Sequence, residues 1–260
     1  EYYATAEHKW PVYDRYEAAH RQIKNTISKK ATVELLPDDI VPFTRTNVLF
    51  EGAGGSRDDG FLVGWILGDG WVTARKDGTQ QVGFAVGGDD ESVKSDLLRI
   101  LGDLGSVATF HPSSNGAKSV ELNTVNRAIN DLLERCGWNG KERLPSLVWT
   151  GSEEFRKGLI DGLFSSDGHF SKEESRISIS GKNKSLIKDI QELMGFYGIP
   201  MTCEDSTKFV TFPNGSSGTY EHWVARSIGG CTTREHFVNT FALTNSRKSA
   251  DAAAFVSGPA

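Results

Sequence analysis

Two stretches of this 260-residue chain are variations of one another, and their pairing limits the possible folds more than any other feature. Residues 61–70 (FLVGWILGDG) and 158–168 (GLIDGLFSSDG) are apolar runs that end in an aspartate followed by a glycine. Small residues recur every four positions, at Gly64, Gly68, Gly158, Gly162 and Ser166. This spacing places them on one face of a helix, where missing side chains let two helix backbones approach closely. The sequence therefore predicts two helices that pack against each other.

An aspartate ends each predicted helix, Asp69 in the first and Asp167 in the second. A carboxylate in the last turn faces the negative end of the helix dipole, and the glycine after it is typical of a helix terminus. Two such helices side by side bring two carboxylates together, which is unfavourable unless a positive charge lies between them. A divalent cation with hard oxygen ligands, water and phosphate describes a magnesium site. The alternative is a simple turn after each buried helix, but the repetition 98 residues apart favours the site.

The two stretches resemble the paired signature motifs of the LAGLIDADG homing endonucleases, in the single-chain form that contains both motifs. The resemblance extends over residues 58–250, although Leu67 and Ser165 stand where the family consensus has an acidic residue. It implies an α+β fold of two tandem αββαββα repeats, related by a pseudo-twofold axis, whose antiparallel sheets bind DNA. The chain is then a monomer that binds a long, asymmetric double-stranded target.

The resemblance also implies a metal-dependent catalytic centre at the helix ends. Asp69 and Asp167, together with the carbonyl groups of Gly68 and Ser166, would hold Mg²⁺, with Mn²⁺ or Ca²⁺ possible in its place. Each aspartate would principally serve one DNA strand, and the result would be a staggered cut.

A lysine accompanies the aspartates in the intein-type members of this family, just before an apolar residue and a proline. Lys141 matches that position, and Lys248 is its counterpart after the second half, with Arg247 as the fallback. A lysine beside a scissile phosphate stabilises the charge of the pentacoordinate transition state or helps to activate water. The alternative for both lysines is a solvated loop position.

The residues between and after the motifs repeat one order of predicted elements. The first half, 61–150, has predicted strands at 71–76, 80–86, 107–110 and 119–123 and helices at 90–104 and 126–136. The second half, 151–250, has predicted strands at 169–172, 175–180, 201–205, 208–212 and 220–227 and helices at 184–197 and 233–243, before a tail at 251–260. Such duplication indicates an internal repeat.

Helices cover one face of such a sheet, and we expect the other face to contact DNA. The candidates are outward strand residues of types that contact phosphates or base edges: Arg75, Lys76, Gln81, Lys172, Arg176, Lys208 and Arg226. Any one of them could be merely solvated, so the prediction concerns the set.

Composition restricts the alternatives. The net charge is −5, and acidic side chains outnumber basic ones in residues 1–60, 61–150 and 151–260 alike, so DNA binding requires the basic residues to gather on one face. No apolar run approaches the ~20 residues of a membrane-spanning helix, and no secretory signal opens the chain. Three cysteines without close spacing indicate neither a disulfide framework nor a zinc site, and an intracellular setting is expected.

Residues 1–50 differ from the rest of the chain. We predict a strand at 2–12, a short helix or loop at 14–28, a strand, turn and strand at 31–42, and a flexible glycine-rich linker at 51–60. The Thr5-x-x-His8 spacing and the ELLPDDIVP stretch from Glu34 resemble the Hint-like splicing domain of inteins, where Thr and His polarise a peptide bond. The alternative is a surface strand with an incidental histidine. Because neither the upstream nucleophile nor the terminal His-Asn pair is present, we expect a partial segment that cannot splice.

The expected function is that of a site-specific, metal-dependent double-strand DNA endonuclease encoded within an intein. The alternative is a protein of the same fold that binds DNA or RNA without cleavage, such as an RNA-splicing maturase or a transcription regulator. Such a protein would normally lose one acidic residue, whereas Asp69 and Asp167 are both present.

Overall fold

The computed structural model describes residues 5–13, 27–36, 52–77, 79–113, 118–171, 174–211 and 217–254. The chain divides into two units, residues 1–46 and 47–260. In the first unit β1 (Lys9–Tyr13) pairs with β2 (Ile27–Ala31) in an antiparallel sheet, followed by a 3-10 turn at Thr32–Glu34.

Two predictions for the first unit were wrong in detail. Residues 5–8 form a turn rather than the start of a strand, because the His8 N–H donates to the Thr5 carbonyl at 3.1 Å. The strand predicted from residue 31 is interrupted at once by the 3-10 turn, which the Glu34 carboxylate stabilises by accepting the Ala31 N–H at 2.8 Å. The remainder of the stretches predicted at 14–28 and 31–42 lies largely outside the described residues.

The second unit begins with the first repeat. Its elements are α1 (Arg57–Leu67), β3 (Gly70–Ala74), β4 (Gln80–Gly87), α2 (Glu91–Asp103), β5 (His111–Pro112), β6 (Ser119–Thr124), α3 (Arg127–Cys136) and α4 (Leu147–Thr150). Helix α1 begins inside the stretch predicted as a linker, because Ser56 and Asp59 form a capping box with hydrogen bonds of 2.9 and 3.1 Å. The strand predicted at 107–110 was wrong, since the Val107 side chain is fully exposed and the strand β5 starts only at His111.

The second repeat follows in a similar order. Its elements are α5 (Glu153–Ser166), β7 (His169–Ser171), β8 (Arg176–Gly181), α6 (Lys184–Phe196), β9 (Met201–Asp205), β10 (Lys208–Thr211), β11 (Ser217–Tyr220), β12 (Trp223–Ser227), α7 (Gly230–Thr240) and α8 (Ser246–Ala253). The strand predicted at 220–227 is confirmed only for Trp223–Ser227, because His222 leaves the ladder and its carbonyl accepts the Ser206 N–H at 2.7 Å. Strands β10 and β11 instead form a separate hairpin, and α8 was not predicted.

Each repeat contains a four-stranded antiparallel sheet, in the orders β3-β4-β6-β5 and β7-β8-β12-β9. One face of each sheet is buried under helices, where Val82, Phe84 and Val86 of β4 and Ile177 and Ile179 of β8 join a common apolar core. The residues that alternate with them, such as Gln81 of β4 and Arg176 of β8, point to the opposite face of each sheet, which is called the helix-free face below. The α+β repeat architecture predicted from the sequence is confirmed. Within the part of the chain that the structure describes, no helix has the length and apolar character needed to cross a membrane.

The two motif helices, α1 and α5, make the most extensive contact between any two elements. Their backbones touch: a Cβ atom added to Gly64 would lie 2.2 Å from the Leu159 carbonyl oxygen, and one added to Gly162 would lie 2.2 Å from the Phe61 carbonyl oxygen. Only glycine permits this approach, so the predicted pairing of the two copies is confirmed.

Candidate active site at the paired helix ends

Four charged side chains meet where α1 and α5 end. Asp69 lies two residues after the end of α1, and Asp167 is the C-cap residue that directly follows α5. Lys141 comes from the segment between α3 and α4, and Lys248 comes from α8. Each aspartate acts electrostatically on both lysines, which places all four groups in one cluster. The structure therefore brings together the four residues that the sequence singled out for chemistry.

The two carboxylates are destabilised in their charged form. Burial by the surrounding protein raises the pKa of Asp167 to about 6, the charge of Asp69 adds to the rise, and Lys141 and Lys248 oppose it. Burial likewise raises the pKa of Asp69, with the two lysines opposing and Asp90 adding to the rise. Both aspartates nevertheless retain substantial solvent exposure, so a ligand can reach them.

The two lysines neutralise the helix ends. Lys141 Nζ donates a hydrogen bond to the carbonyl oxygen of Gly68, and Lys248 Nζ donates one to the carbonyl oxygen of Ser166. These carbonyls belong to the last turns of α1 and α5, where a cation is favourable because the helix dipole is negative there. Burial lowers the pKa of both lysines, and the neighbouring aspartates oppose that change. Neither lysine is a freely solvated loop residue.

The donor set fits a hard divalent cation that keeps part of its hydration. Asp69 and Asp167 offer two carboxylates, whereas the carbonyls of Gly68 and Ser166, predicted as ligands, accept hydrogen bonds from the lysines. No cluster of three or more His, Cys, Asp or Glu residues suited to a metal occurs within the described ranges. Mg²⁺ at phosphoryl-transfer sites is usually bound by one or two carboxylates, and water and phosphate oxygens complete its coordination shell.

The helix-free face of the second sheet forms a groove of about 570 Å³. Arg176 and Arg226, two of the predicted DNA contacts, line it together with His169 and His222. Each arginine is close to a glutamate: Arg176 lies 3.6 Å from Glu174, and Arg226 forms an ion pair with Glu204. These two arginines therefore lie on the same face of the second sheet, where acidic neighbours offset part of their charge.

The first sheet presents the other candidates. Arg75 and Lys76 are exposed at the turn after β3, and Gln81 lies opposite Thr73 on the helix-free face. The sequence reasoning missed Trp71, whose ring covers Gly83 on that face: a Cβ atom at Gly83 would lie 2.0 Å from it. The other predicted residues lie outside these two sheets or outside the described residues. Lys172 and the side chain of Lys208 are not among the described residues, and Thr5 and His8 are exposed in the turn before β1.

Residues 154–239 match the LAGLIDADG-like domain family.

Solved structures and curated relatives extend the comparison beyond the matched LAGLIDADG segment. The homing endonuclease I-DmoI, in complex with DNA and Ca, has a TM-score of 0.52 and 17% identity, over 78% of this chain and 98% of that chain. An I-DmoI variant with its target DNA and 2 mM Mn has a TM-score of 0.50 and 17% identity, over 73% of this chain and 97% of that one. The fold of this chain is therefore similar to the LAGLIDADG fold of I-DmoI.

Two curated relatives are longer proteins named DNA polymerase. That of Thermococcus sp. (strain GE8) is 24% identical over 163 residues, which is 61% of this chain and 9% of the polymerase. That of Thermococcus hydrothermalis is 23% identical over 164 residues, again 61% of this chain and 10% of the polymerase. The chain matches about a tenth of the length of these relatives.

Asp161 of α5 supports the candidate site, and the sequence reasoning missed it. It is 3% exposed and accepts hydrogen bonds from the Thr244 N–H at 2.7 Å, the Thr244 hydroxyl at 3.0 Å and the Ser165 hydroxyl at 2.9 Å. Burial raises its pKa, and these hydrogen bonds oppose the rise. Asp161 thereby fixes the segment that leads into α8 and Lys248. Its position inside the second motif stretch, one turn before Ser165, was the available signal.

Proposed function

We propose that this protein is a site-specific, metal-dependent homing endonuclease that hydrolyses phosphodiester bonds in both strands of a DNA duplex. The observation that supports this most strongly is the meeting of Asp69, Asp167, Lys141 and Lys248 at the paired ends of α1 and α5. A pair of partly desolvated carboxylates flanked by two cations suits a reaction in which negative charge grows on phosphate oxygens.

In the proposed reaction a water molecule attacks phosphorus, and the bond to the leaving 3′ oxygen breaks. A divalent cation held by Asp69 and Asp167 would supply Lewis-acid chemistry at the scissile phosphates when bound. Lys141 and Lys248 place fixed positive charge beside the developing negative charge, and their partial burial strengthens this interaction. Because each half contributes one aspartate and one lysine, we assign one strand principally to each half.

The open faces of the two sheets are the proposed DNA-binding surface. Arg75, Lys76 and Gln81 belong to the first half, and Lys172, Arg176, Lys208 and Arg226 belong to the second. The two halves differ in sequence, so a monomer would bind a long and asymmetric site inside the cell. We further propose a first half that ends at residue 150 and a second half at 151–250, with α1 beginning at Arg57 inside the linker predicted at 51–60 and α8 continuing to Ala253 inside the tail predicted at 251–260.

An intein-encoded origin is the finer part of this proposal. The similarity to about a tenth of two proteins named DNA polymerase supports a segment inserted in a host protein. Residues 1–50 would then be a partial splicing segment that includes Thr5 and His8.

Replacing either aspartate tests the endonuclease proposal. We expect Asp69→Asn and Asp167→Asn each to lower double-strand cleavage of an uninterrupted host gene, in the presence of Mg²⁺, by about 100-fold or more. DNA affinity, measured by gel shift in Ca²⁺, should change by less than about threefold, because the sheets bind the duplex. Asp131→Asn, at an exposed position of α3, is the matched control and should cleave normally.

The same assay separates the alternative function. Binding without cleavage by the unaltered chain, in Mg²⁺ and in Mn²⁺, would indicate a regulator or maturase of this fold. Efficient double-strand cleavage by either aspartate variant would refute the assigned chemistry.

A further inference from the structure

The backbone segment that bears Lys141 is held at both ends by the second half of the chain. Asn183, which precedes α6, donates from its side-chain amide to the carbonyl oxygen of Lys141 at 2.6 Å. Asp189, in the second turn of α6, accepts the Leu144 N–H at 3.0 Å. It also accepts two hydrogen bonds of 2.7 and 2.8 Å from the guanidinium group of Arg143. The segment between Lys141 and Leu144 therefore takes its position from α6.

The Asp189 carboxylate is buried and hydrogen-bonded to this segment. Its side chain is only 4% exposed, whereas that of Arg143 is 59% exposed. A buried carboxylate is costly unless its oxygens are satisfied, and the hydrogen bonds that satisfy Asp189 come from Arg143 and Leu144. The neighbouring inward positions of α6 are apolar, as at Leu186 and Ile190, so helix packing alone gives no reason for an acid there.

The second half shows the reciprocal arrangement. Ser92 of α2 donates its hydroxyl to the Thr244 carbonyl at 2.9 Å, just before α8. The Asp90 carboxylate, which precedes α2, accepts the side-chain amide of Asn245 at 3.1 Å. Asn245 in turn caps α8 by accepting the Lys248 N–H at 3.0 Å. Asp90 and Asn183 precede corresponding helices of the two repeats, so each lysine segment has anchors in the opposite repeat. The segment before Lys248 is held in addition by Asp161 of its own repeat.

We propose that Asp189 and Asn183 are positioning residues for Lys141. Because each lysine segment has anchors in the opposite repeat, each lysine is aligned with the catalytic aspartates only when the two halves are packed in register. The inference rests on the proposed function for the catalytic role of Lys141, but the anchoring itself can be tested without cleavage. A lysine side chain is long and flexible, so the place of its ammonium depends on how firmly its backbone is held. A misplacement of ~1 Å is enough to lower a rate by about 100-fold.

The first test compares two aspartates that each bind an arginine through two hydrogen bonds. Asp189→Asn weakens the anchor of Lys141, whereas Asp58→Asn weakens the bond between Asp58 and Arg99, whose distances are 2.7 and 2.9 Å. Asp189→Asn should lower the single-turnover rate at saturating DNA by about tenfold or more, with the dissociation constant changed by less than about threefold. Asp58→Asn should leave both within about threefold of the unaltered chain.

A double variant shows whether the effect passes through Lys141. The Asp189→Asn, Lys141→Met protein should cleave no more slowly than Lys141→Met alone, because residues that act as one unit are not additive. A double variant whose cleavage rate is lowered by the product of the two single-variant factors would overturn the proposal. Asn183→Ala is the second variant, suited to the case in which Asp189→Asn does not fold, since the Asn183 side chain makes no capping bond to α6. It should lower the rate in the same way.

The second test needs no DNA. Reductive methylation with formaldehyde, followed by mass spectrometry, measures the accessibility of Lys141 relative to exposed Lys118. Loss of the anchor should raise the relative reactivity of Lys141 by about threefold or more in Asp189→Asn or Asn183→Ala, and not in Asp58→Asn. Unchanged Lys141 reactivity would refute the anchoring. If the unaltered chain cleaves no DNA while the variants show raised Lys141 reactivity, the anchoring would be supported and the proposed function refuted instead.

Discussion

Gly162→Ala tests the close approach of α1 and α5 on which the active site depends. The new methyl group would lie 2.2 Å from the Phe61 carbonyl oxygen and 2.8 Å from the Trp65 nitrogen, where ordinary contact begins at 3.4 Å. Both of these neighbours are backbone atoms of a helix, so no side-chain rotation can relieve the clash. The helices must separate or tilt by roughly 1 Å, as overpacked cores do when they adjust by backbone shifts.

The expected loss of stability follows from this clash. Overpacking a well-packed core costs about 1–3 kcal/mol, and a clash with backbone belongs at the upper end. Alanine in a helix returns at most ~1 kcal/mol relative to glycine. The net loss should be about 2 kcal/mol, which lowers the melting temperature of a unit of this size by about 4–8 °C. Asp167 lies little more than one turn beyond Gly162, so we also expect cleavage to slow by about tenfold or more.

Thermal and urea unfolding followed by circular dichroism measure this loss, with Gly102→Ala as the control. A Cβ atom at Gly102, near the end of α2, meets nothing within 4 Å. That variant should therefore keep its stability or gain up to ~1 kcal/mol. A Gly162→Ala protein with the stability and cleavage rate of the unaltered chain would refute the backbone contact between the motif helices.

The remaining predictions concern the charged groups. The pKa of Asp167 is about 6 in the folded protein, against 3.8 for an ordinary aspartate. Between pH 3.8 and pH 6 the folded state therefore binds more protons than the unfolded state, and the free energy of unfolding falls as the pH rises through this range. Asp167→Asn should thus raise the free energy of unfolding near pH 8 by about 1 kcal/mol, after allowance for solvent screening, and by less near pH 4. Equal gains at pH 4 and pH 8 in a series of unfolding measurements would contradict this prediction. Lys141→Met and Lys248→Met should each slow one DNA strand more than the other by about tenfold or more, so that nicked plasmid accumulates before linear product; equal slowing of both strands would argue against one centre per half. Asp161→Ala should lower the free energy of unfolding by about 3 kcal/mol in urea titrations, because the Thr244 N–H and hydroxyl lose their acceptor; a loss below ~1 kcal/mol would show that these groups find other partners.

Repetition is the reason that the centre of the fold and the two aspartates of the site could be predicted from the sequence. Gly64 and Gly162 have little meaning alone, but as part of two copies they indicate which helices touch. Once those helices are paired, Asp69 and Asp167 have to lie near each other. The lysines were located only through the family resemblance, because no local pattern shows that Lys141 turns back to the end of α1.

Local patterns failed where tertiary contacts decide the structure. Val107 begins a short stretch with the β-branched and aromatic residues typical of a strand, yet its side chain is fully exposed and no strand forms there. Helix α8 has mostly small and polar residues, and it is fixed by Asn245, whose partners Asp90 and Ser165 are distant in sequence. Such contacts exist only after the two halves have packed, so periodicity could not predict them.

The anchors of the two lysines explain why the active site was easier to predict than the residues that support it. Asp189 is one acid in an amphipathic helix, and in the sequence it is indistinguishable from the solvated acids of other helices. Its role is set by Arg143, which lies 46 positions away in the other repeat. In the reciprocal anchor the carboxylate of Asp90 precedes α2, whereas the amide belongs to Asn245 on the lysine segment itself. In the first anchor the amide of Asn183 and the carboxylate of Asp189 both belong to the opposite repeat. Two repeats can therefore keep the same arrangement of lysines while their anchoring groups differ, and a comparison of one repeat with the other does not reveal such anchors.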